Sequence, residues 1–242
     1  MQIALDAMGG DLGPQELIKG ALLALEQDNL RITLVGDDAV LQELLQYSSA
    51  SQTLLDRLDI MHAQSVIDMN ENPVDAIRKK KDSSIMVAFD LVKSGQASAA
   101  VSAGNSGATL AAGVRKLGRL KNVARPGLAS AFPTLKGPVM IMDIGANVEC
   151  RPLHLYQFGV MASAFSKLYN VTNPRVGLLT IGEESGKGNT LIKEAYNLLQ
   201  RSSLNFIGNV EGRDVFQGDV DVVVCDGFVG NIVLKISEGL AE

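Results

Sequence analysis

Gln2-Ile-Ala-Leu-Asp-Ala-Met-Gly-Gly-Asp-Leu-Gly-Pro14 lays down a strand, a turn and a helix start in thirteen residues. The apolar run Gln2 to Leu5 reads as a short strand, and Pro14 pre-sets the first turn of a helix. Between them Gly9, Gly10 and Gly13 permit positive φ and let the backbone approach a bound group. Such a corner can hold an anion on its N–H groups, or serve as an ordinary tight turn from strand to helix. Asp6 and Asp11 flank the glycines, and carboxylates beside an anion pocket would orient a lysine, an arginine or a substrate hydroxyl.

Outward from this corner the same unit recurs. Leu17, Ile18, Ala21, Leu22 and Leu25 fall at helical spacing over Gln15 to Gln27, and Arg31 to Gly36 is a buried strand. Asp37 and Asp38 cap the next helix. A serine-rich connection near Tyr47 to Thr53 leads to a strand at Leu58 to His62. The chain turns at Asn70 to Pro73, Val74 to Lys81 reads as a short basic helix, and Ser83-Ser84 stand at the cap of a helix over Ile85 to Lys93. Four further strands then run into polar corners: Ala99–Ser102 into Ala103–Ala108, Val139–Asp143 into Ile144–Asn147, Val176–Ile181 into Gly182–Asn189, and Val220–Val224 into Cys225–Asn231. A helix follows from about Pro152 to Leu168, and another closes the chain. In an open α/β sheet such strand ends converge on a crevice where ligands bind.

Composition bounds the chemistry. The 242 residues, 46% of them apolar, support one large α/β domain or two small ones. No apolar run approaches the ~18 residues of a membrane span, and the N-terminus lacks a secretory signal, so the chain reads as cytosolic. A net charge of −5 argues against a nucleic-acid partner. Two basic clusters stand out: Arg78-Lys79-Lys80-Lys81, and Arg115, Lys116, Arg119, Lys121 and Arg125. Such runs are usually solvated helix faces, and the Arg115 to Arg125 run is alternatively a dock for an acidic partner. Cys150 and Cys225 read as small buried residues, and His62 and His154 as structural.

Motifs that would name a reaction are missing. Gly182–Asn189 has three residues where a P-loop needs four between its glycines, and Gly188 follows Lys187. No corner spells G-x-G-x-x-G, no G-x-S-x-G elbow is present, and no His, Cys and carboxylate set has transition-metal spacing, so neither a metal nor a cofactor is expected. What remains is a pocket of Asn, Ser, Asp, Lys and backbone N–H groups. It suits transfer chemistry that relies on positioning and oxyanion stabilisation.

Read together, the motifs resemble the phosphate acyltransferase family of bacterial phospholipid synthesis. The resemblance rests on Leu5–Asp11 with Gly13-Pro14, Arg78 with Lys80–Ser84, Ser102–Ala108, Arg125-Pro126, and Asp143–Asn147. It continues through Pro174–Leu179, Gly182–Glu184 with Lys187–Asn189, Asn205–Glu211, and Asp226–Asn231 with Leu234-Lys235. These span the whole chain in order. Ser106, Glu149 and Thr180 stand where threonine, aspartate and asparagine are commoner, each keeping a polar group. Family members continue by about a further third beyond the position of Glu242, with helices implicated in dimerisation and membrane contact.

The resemblance implies a three-layer α/β/α sandwich with a mostly parallel sheet, similar to phosphotransacetylases and the isocitrate dehydrogenase-like fold, here as a single α/β domain over residues 1–242. It implies transfer of a fatty acyl group from acyl-[acyl-carrier protein] to orthophosphate. It also implies a homodimer and a cytoplasmic location peripheral to the inner face of the membrane. Ionised phosphate is already a nucleophile, and a thiol of pKa ~8.5 leaves without a strong acid, so no catalytic histidine is required. On this reading Lys187 meets phosphate or the oxyanion. Asn147, Asn231 and the N–H groups of Asn105, Ser106 and Gly107 are neutral donors, and Asp226 orients Lys187 or a donor amide. Arg78, Lys81 and Ser83 meet phosphate or the carrier's phosphopantetheine, Asp6, Gly9, Gly10 and Asp11 shape the floor, Ser102 belongs with the substrate-binding residues, and the Arg115–Arg125 cluster docks the acidic carrier. Two other readings are an NAD-dependent decarboxylating dehydrogenase, with Asp143, Glu183 and Asp226 around a metal, and a non-catalytic scaffold.

Overall fold

The computed structural model of the protein describes Met1–Ala241. It comprises two compact units, Met1–Gly118 and a second from Arg119 onward, each built on its own sheet.

The first unit runs β1 (Gln2–Asp6), α1 (Pro14–Gln27), β2 (Arg31–Gly36), α2 (Asp38–Gln46), α3 (Gln52–Leu55), β3 (Leu58–His62), α4 (Pro73–Lys79), α5 (Ser84–Lys93), β4 (Ala99–Ser102) and α6 (Ser106–Leu117). Its strands are all parallel, in the order β3-β2-β1-β4. Successive side chains point to opposite faces of a strand. Leu5 and Leu34 therefore pack on Ile18 and Leu25 of α1 and Leu41 of α2, while their neighbours Ala4 and Val35 pack on Ala88 and Leu91 of α5. Gly13, at φ 73°, makes the turn that sets Pro14 in the first turn of α1. Asp37 caps α2 by accepting from the N–H groups of Ala39 and Val40.

The second unit contains β5 (Ala129–Phe132), β6 (Val139–Met142), α7 (Pro152–Ser166), β7 (Arg175–Leu179), α8 (Thr190–Gln200), β8 (Asn205–Val210), β9 (Val222–Val224) and α9 (Gly227–Ala241). The order is β5-β6-β9-β7-β8, parallel except for β5 against β6. Val139–Met142 is buried throughout, the pattern of a parallel strand covered on both faces. Met140, Met142, Val222 and Val224 meet Leu155 and Phe158 of α7 and Leu199 of α8. Val139, Ile141 and Val223 meet the other layer, where Val229 and Val233 of α9 pack. Each unit is thus helix on sheet on helix, the sandwich expected from the sequence. Arg175 Nε and Nη2 donate in a fork to Asp221, tying β7 to the entrance of β9 and holding the Asp221 carboxyl below its ordinary range. No described helix is long and apolar enough to cross a membrane.

Several details differ from the sequence reading, among them β7, which ends at Leu179 rather than Ile181, and the short helix α3 in the serine-rich connection. The strands belong to two sheets; their alternation with helices carries no record of which strands pair. Two edge strands, β5 and β8, add to the sequence-read set. The last strand shrinks to Val222–Val224.

Candidate active site

In the first unit β1 and β4 lie side by side, with Asp6 in register with Ser102. Their corners therefore touch. Ser102 Oγ donates to Asp6 Oδ2 at 2.7 Å and accepts from Gly104 N at 3.1 Å. Gly9 is held where a β-carbon would stand 2.7 Å from Asp6 Oδ2 and 3.0 Å from Gly104 N, so only glycine fits. Asn105 caps α6, its Oδ1 accepting from Ala108 N, while its amide donates to Met69 O and Glu71 O. Lys80 is spent on the same segment, donating to Val66 O and Glu71. An open cavity of about 560 Å³ lies between the 66–71 segment and Met8, Gly10 and Asp11.

In the second unit the corners after β6, β9 and β7 adjoin because those strands are neighbours. Asp143, fully buried, organises the first. Its carboxylate accepts from the N–H groups of Leu128, Gly145, Ala146 and Asn147 and from the Asn147 amide. That amide also donates to Pro126 O, and Asn147 O accepts from Gly227 N. Asp226 caps α9, its Oδ1 accepting from Val229 N. A smaller cavity, about 230 Å³, opens beside it among Thr180, Ile181, Gly188, Asn189 and Ile192. Lys187 is half-exposed, its stem crossing Gly182 and its Nζ 3.8 Å from Glu184 Oε1. Asn231 sits exposed one turn into α9, its side chain against Gly145.

This geometry sorts the residues read from sequence. Gly10, Asp11, Arg78, Lys81, Ser106, Lys187 and Asn231 are accessible or line a cavity, and Gly107 packs against Pro73 behind the start of α6. Several expectations need correction. Both protons of the Asn147 amide are committed to Asp143 and Pro126, so it is no oxyanion donor. The hydroxyl of Ser83 is fully buried at the start of α5 and meets no ligand in this arrangement. Ser102 and Asn105 spend their side chains on corner geometry. Asp226 orients α9 through Val229 N, and the cationic partner given to it, Lys187, pairs with Glu184. Asp143, bonded to backbone donors on both oxygens, is no metal ligand, and no three His, Cys, Asp or Glu residues among those described cluster as a metal site. Thr180, Asn189 and Val229, given no site role from the sequence, line the smaller cavity. The signal for Asn189 was available, since it is the cap of α8.

Of the two thiols, Cys225 is buried in the wall of the smaller cavity and Cys150 is partly buried. Burial pushes the Cys150 thiol up to about 11, and the Cys225 thiol higher still. A thiolate is the reactive form, so Cys150 should react at pH 8 roughly two orders of magnitude more slowly than a free thiol. An aromatic disulfide reagent is expected to titrate neither cysteine promptly in native protein and both after guanidinium unfolding. Immediate titration of the native chain would contradict this.

Residues 1–242 match the family described as fatty acid synthesis protein. Curated relatives match along the whole chain. One from Pelotomaculum thermopropionicum, named phosphate acyltransferase, is 54% identical over 100% of this chain and 70% of its own length. Another of that name from Geobacter sulfurreducens is 52% identical over 100% of this chain and 69% of its own length. The chain belongs to the phosphate acyltransferase family. Solved structures place the family's fold. A phosphotransacetylase from Streptococcus pyogenes superposes with a TM-score of 0.73 at 17% identity, covering 100% of this chain and 82% of that one. The EutD phosphotransacetylase from Staphylococcus aureus gives 0.70 at 20% identity with the same coverage. A 4-hydroxythreonine-4-phosphate dehydrogenase from Burkholderia phymatum gives 0.58 at 17%, covering 98% and 83%. At such identities the phosphate acyltransferase chain shares their architecture.

Proposed function

We propose that this chain transfers a fatty acyl group from acyl-[acyl-carrier protein] to orthophosphate, forming acyl phosphate for phospholipid synthesis. The observation that carries the reading is the Gly182–Asn189 corner. It presents one unburied lysine at the end of β7, beside a cavity walled by Thr180, Asn189 and Asp226, in a chain at least half identical to proteins named phosphate acyltransferase. Glu184 is a weak and exposed competitor for that ammonium, so an incoming phosphate displaces it at little cost.

The chemistry needs no protein base. A phosphate oxygen attacks the thioester carbonyl and the new O–C bond generates an oxyanion. Collapse then breaks the C–S bond, and the thiolate leaves to take its proton from solvent. Lys187 neutralises phosphate or the oxyanion as a point charge, and the exposed Asn231 amide adds a neutral donor. The N–H groups at the start of α6, with Arg78 and Lys81, are assigned to anionic parts of the donor. Arg119, Lys121 and Arg125 are exposed and offer the acidic carrier a field to dock in, while Lys116 is already paired with Asp90. The reading also carries the family's homodimer and its peripheral contact with the inner face of the membrane.

The test is release of carrier thiol from palmitoyl-carrier protein, with and without orthophosphate. Phosphate-dependent release is expected, falling with added salt for the carrier-bound donor more steeply than for a coenzyme A donor. Lys187→Ala should lower kcat/KM by about a hundredfold, the typical loss when one oxyanion donor is removed. Near-normal turnover and phosphate KM in a folded Lys187→Ala protein would remove Lys187 from the site, and release that ignores phosphate would sink the function.

A further inference from the structure

The 230 Å³ cavity has walls that phosphate does not need. Leu179 closes the end of β7, Ile192 comes from the first turn of α8, Cys225 follows β9, and Val229 lies on the first turn of α9. Leu179, Ile192 and Cys225 are each buried, and burial keeps the Cys225 thiol neutral, so this wall carries no charge. The polar groups, Thr180, Asn189 and Asp226, are those shared with the proposed reaction site. At the rim stands Ile181, 85% exposed, on the residue before the Lys187 loop begins. An isolated exposed apolar side chain is ordinary; one at the rim of an apolar cavity extends its lining outward.

We propose that this cavity receives the methylenes of the acyl group nearest its carbonyl, with the rest of the chain leaving across Ile181. The proposal rests on the acyl-transfer reading and adds to it the residues that select the chain. At about 230 Å³ the cavity is smaller than the ~300–1,000 Å³ of pockets that enclose a whole drug-sized ligand, so it holds the proximal carbons only. Phosphate and thioester remain outside among the polar groups. The apolar walls disfavour a hydrated anion and so keep phosphate from occupying the acyl position.

Each buried methylene strengthens binding about fourfold. Across carrier-bound acetyl, butanoyl, hexanoyl, octanoyl and hexadecanoyl thioesters, kcat/KM with saturating phosphate should climb steeply over the short chains and flatten once the cavity is full. Val229→Phe, which occupies the space, should lower the hexanoyl-to-acetyl ratio of kcat/KM at least tenfold. Ile181→Ser is an exposed change with no packing to lose, and should lower the hexadecanoyl-to-hexanoyl ratio several-fold; it decides the matter should Val229→Phe fail to fold. Ratios unchanged by a folded variant, with phosphate-dependent release intact, overturn the cavity's role alone. No phosphate-dependent release from any thioester by the unmodified chain overturns the acyl-transfer reading and takes the cavity's role with it.

Discussion

Gly230→Ala is expected to destabilise the second unit by about 3 kcal/mol or more, against the usual sign of the exchange. Replacing a helical glycine with alanine ordinarily stabilises by ~0.5–1 kcal/mol, because glycine loses more backbone entropy on folding. Here a β-carbon would stand 1.8 Å from Asp143 O, 2.8 Å from Asp143 C and 2.9 Å from Ile144 Cα. Carbon atoms prefer separations of ~3.5–4.0 Å, so approaches of 2.8 and 2.9 Å to carbon, with the carbonyl oxygen closer still, require α9 or the corner to move. Neither moves freely: every obstacle is backbone, and the Asp143 carboxylate is bonded to its own corner. The control is Gly239→Ala in the same helix, where nothing lies within 4 Å of the added carbon and a small gain is expected. The chain has no tryptophan, so urea unfolding is followed by circular dichroism. A Gly230→Ala midpoint equal to or above the parent's would show that α9 does not sit this close to Asp143. Because α9 also carries Asn231 and is capped by Asp226, phosphate-dependent turnover should fall further than the folded fraction does.

What the sequence disclosed and what it hid follow from the same physics. The start of the chain was legible because Gly13 and Pro14 mark a helix boundary and Ile18, Ala21 and Leu25 repeat at helical spacing. The central strands were legible as unbroken apolar runs, since strands covered on both faces need no alternation. The edge strands were not. Ala129–Phe132 is mostly small residues, and Asn205–Val210 is interrupted by Gly208 at φ 105° and by a register shift in its pairing with β7. Pairing order was also hidden, because a parallel crossover reads alike whichever neighbour the next strand joins. At the site, residue types were legible and roles less so. Glycine corners leave backbone N–H groups facing inward, and those groups need acceptors whether or not a ligand is present. Ser102 and Asn105 serve that need through their side chains, while the Asn147 amide is spent as a donor to Asp143 and Pro126 O. The residues left for a ligand are those whose polar ends the corners do not consume, Lys187 and Asn231 among them. Asp143 was readable as an organiser, since an aspartate at a strand end commonly accepts from N–H groups two and three residues ahead. It does so at Gly145 and Ala146.

Asp143→Ala should be the most damaging single change in the second unit, costing about 4–5 kcal/mol. The carboxylate is fully buried, which is ordinarily costly, and the structure offsets that cost with donors on both oxygens: Leu128 N, Gly145 N, Ala146 N, Asn147 N and Asn147 Nδ2, the last two at 2.7 and 2.8 Å. A bond to a charged acceptor contributes ~1.5–3 kcal/mol, and each buried donor stranded by its loss costs ~1–3 kcal/mol. Even if water re-satisfies the outer N–H groups, Asn147 N lies in the buried part of the corner and does not share that relief. Asp143→Asn separates charge from shape. It keeps the size and one acceptor oxygen, but it sets an NH₂ group against N–H donors, so it should recover less than half of the lost stability. A denaturation midpoint for Asp143→Ala within 1 kcal/mol of the parent would mean that the corner holds its shape without the carboxylate. The more informative outcome is the ordering Ala below Asn below Asp in stability, with turnover lost in the same order. It would identify the negative charge at Asp143 as what keeps the β6 corner folded under α9, and so what sets the Asn231 amide in place.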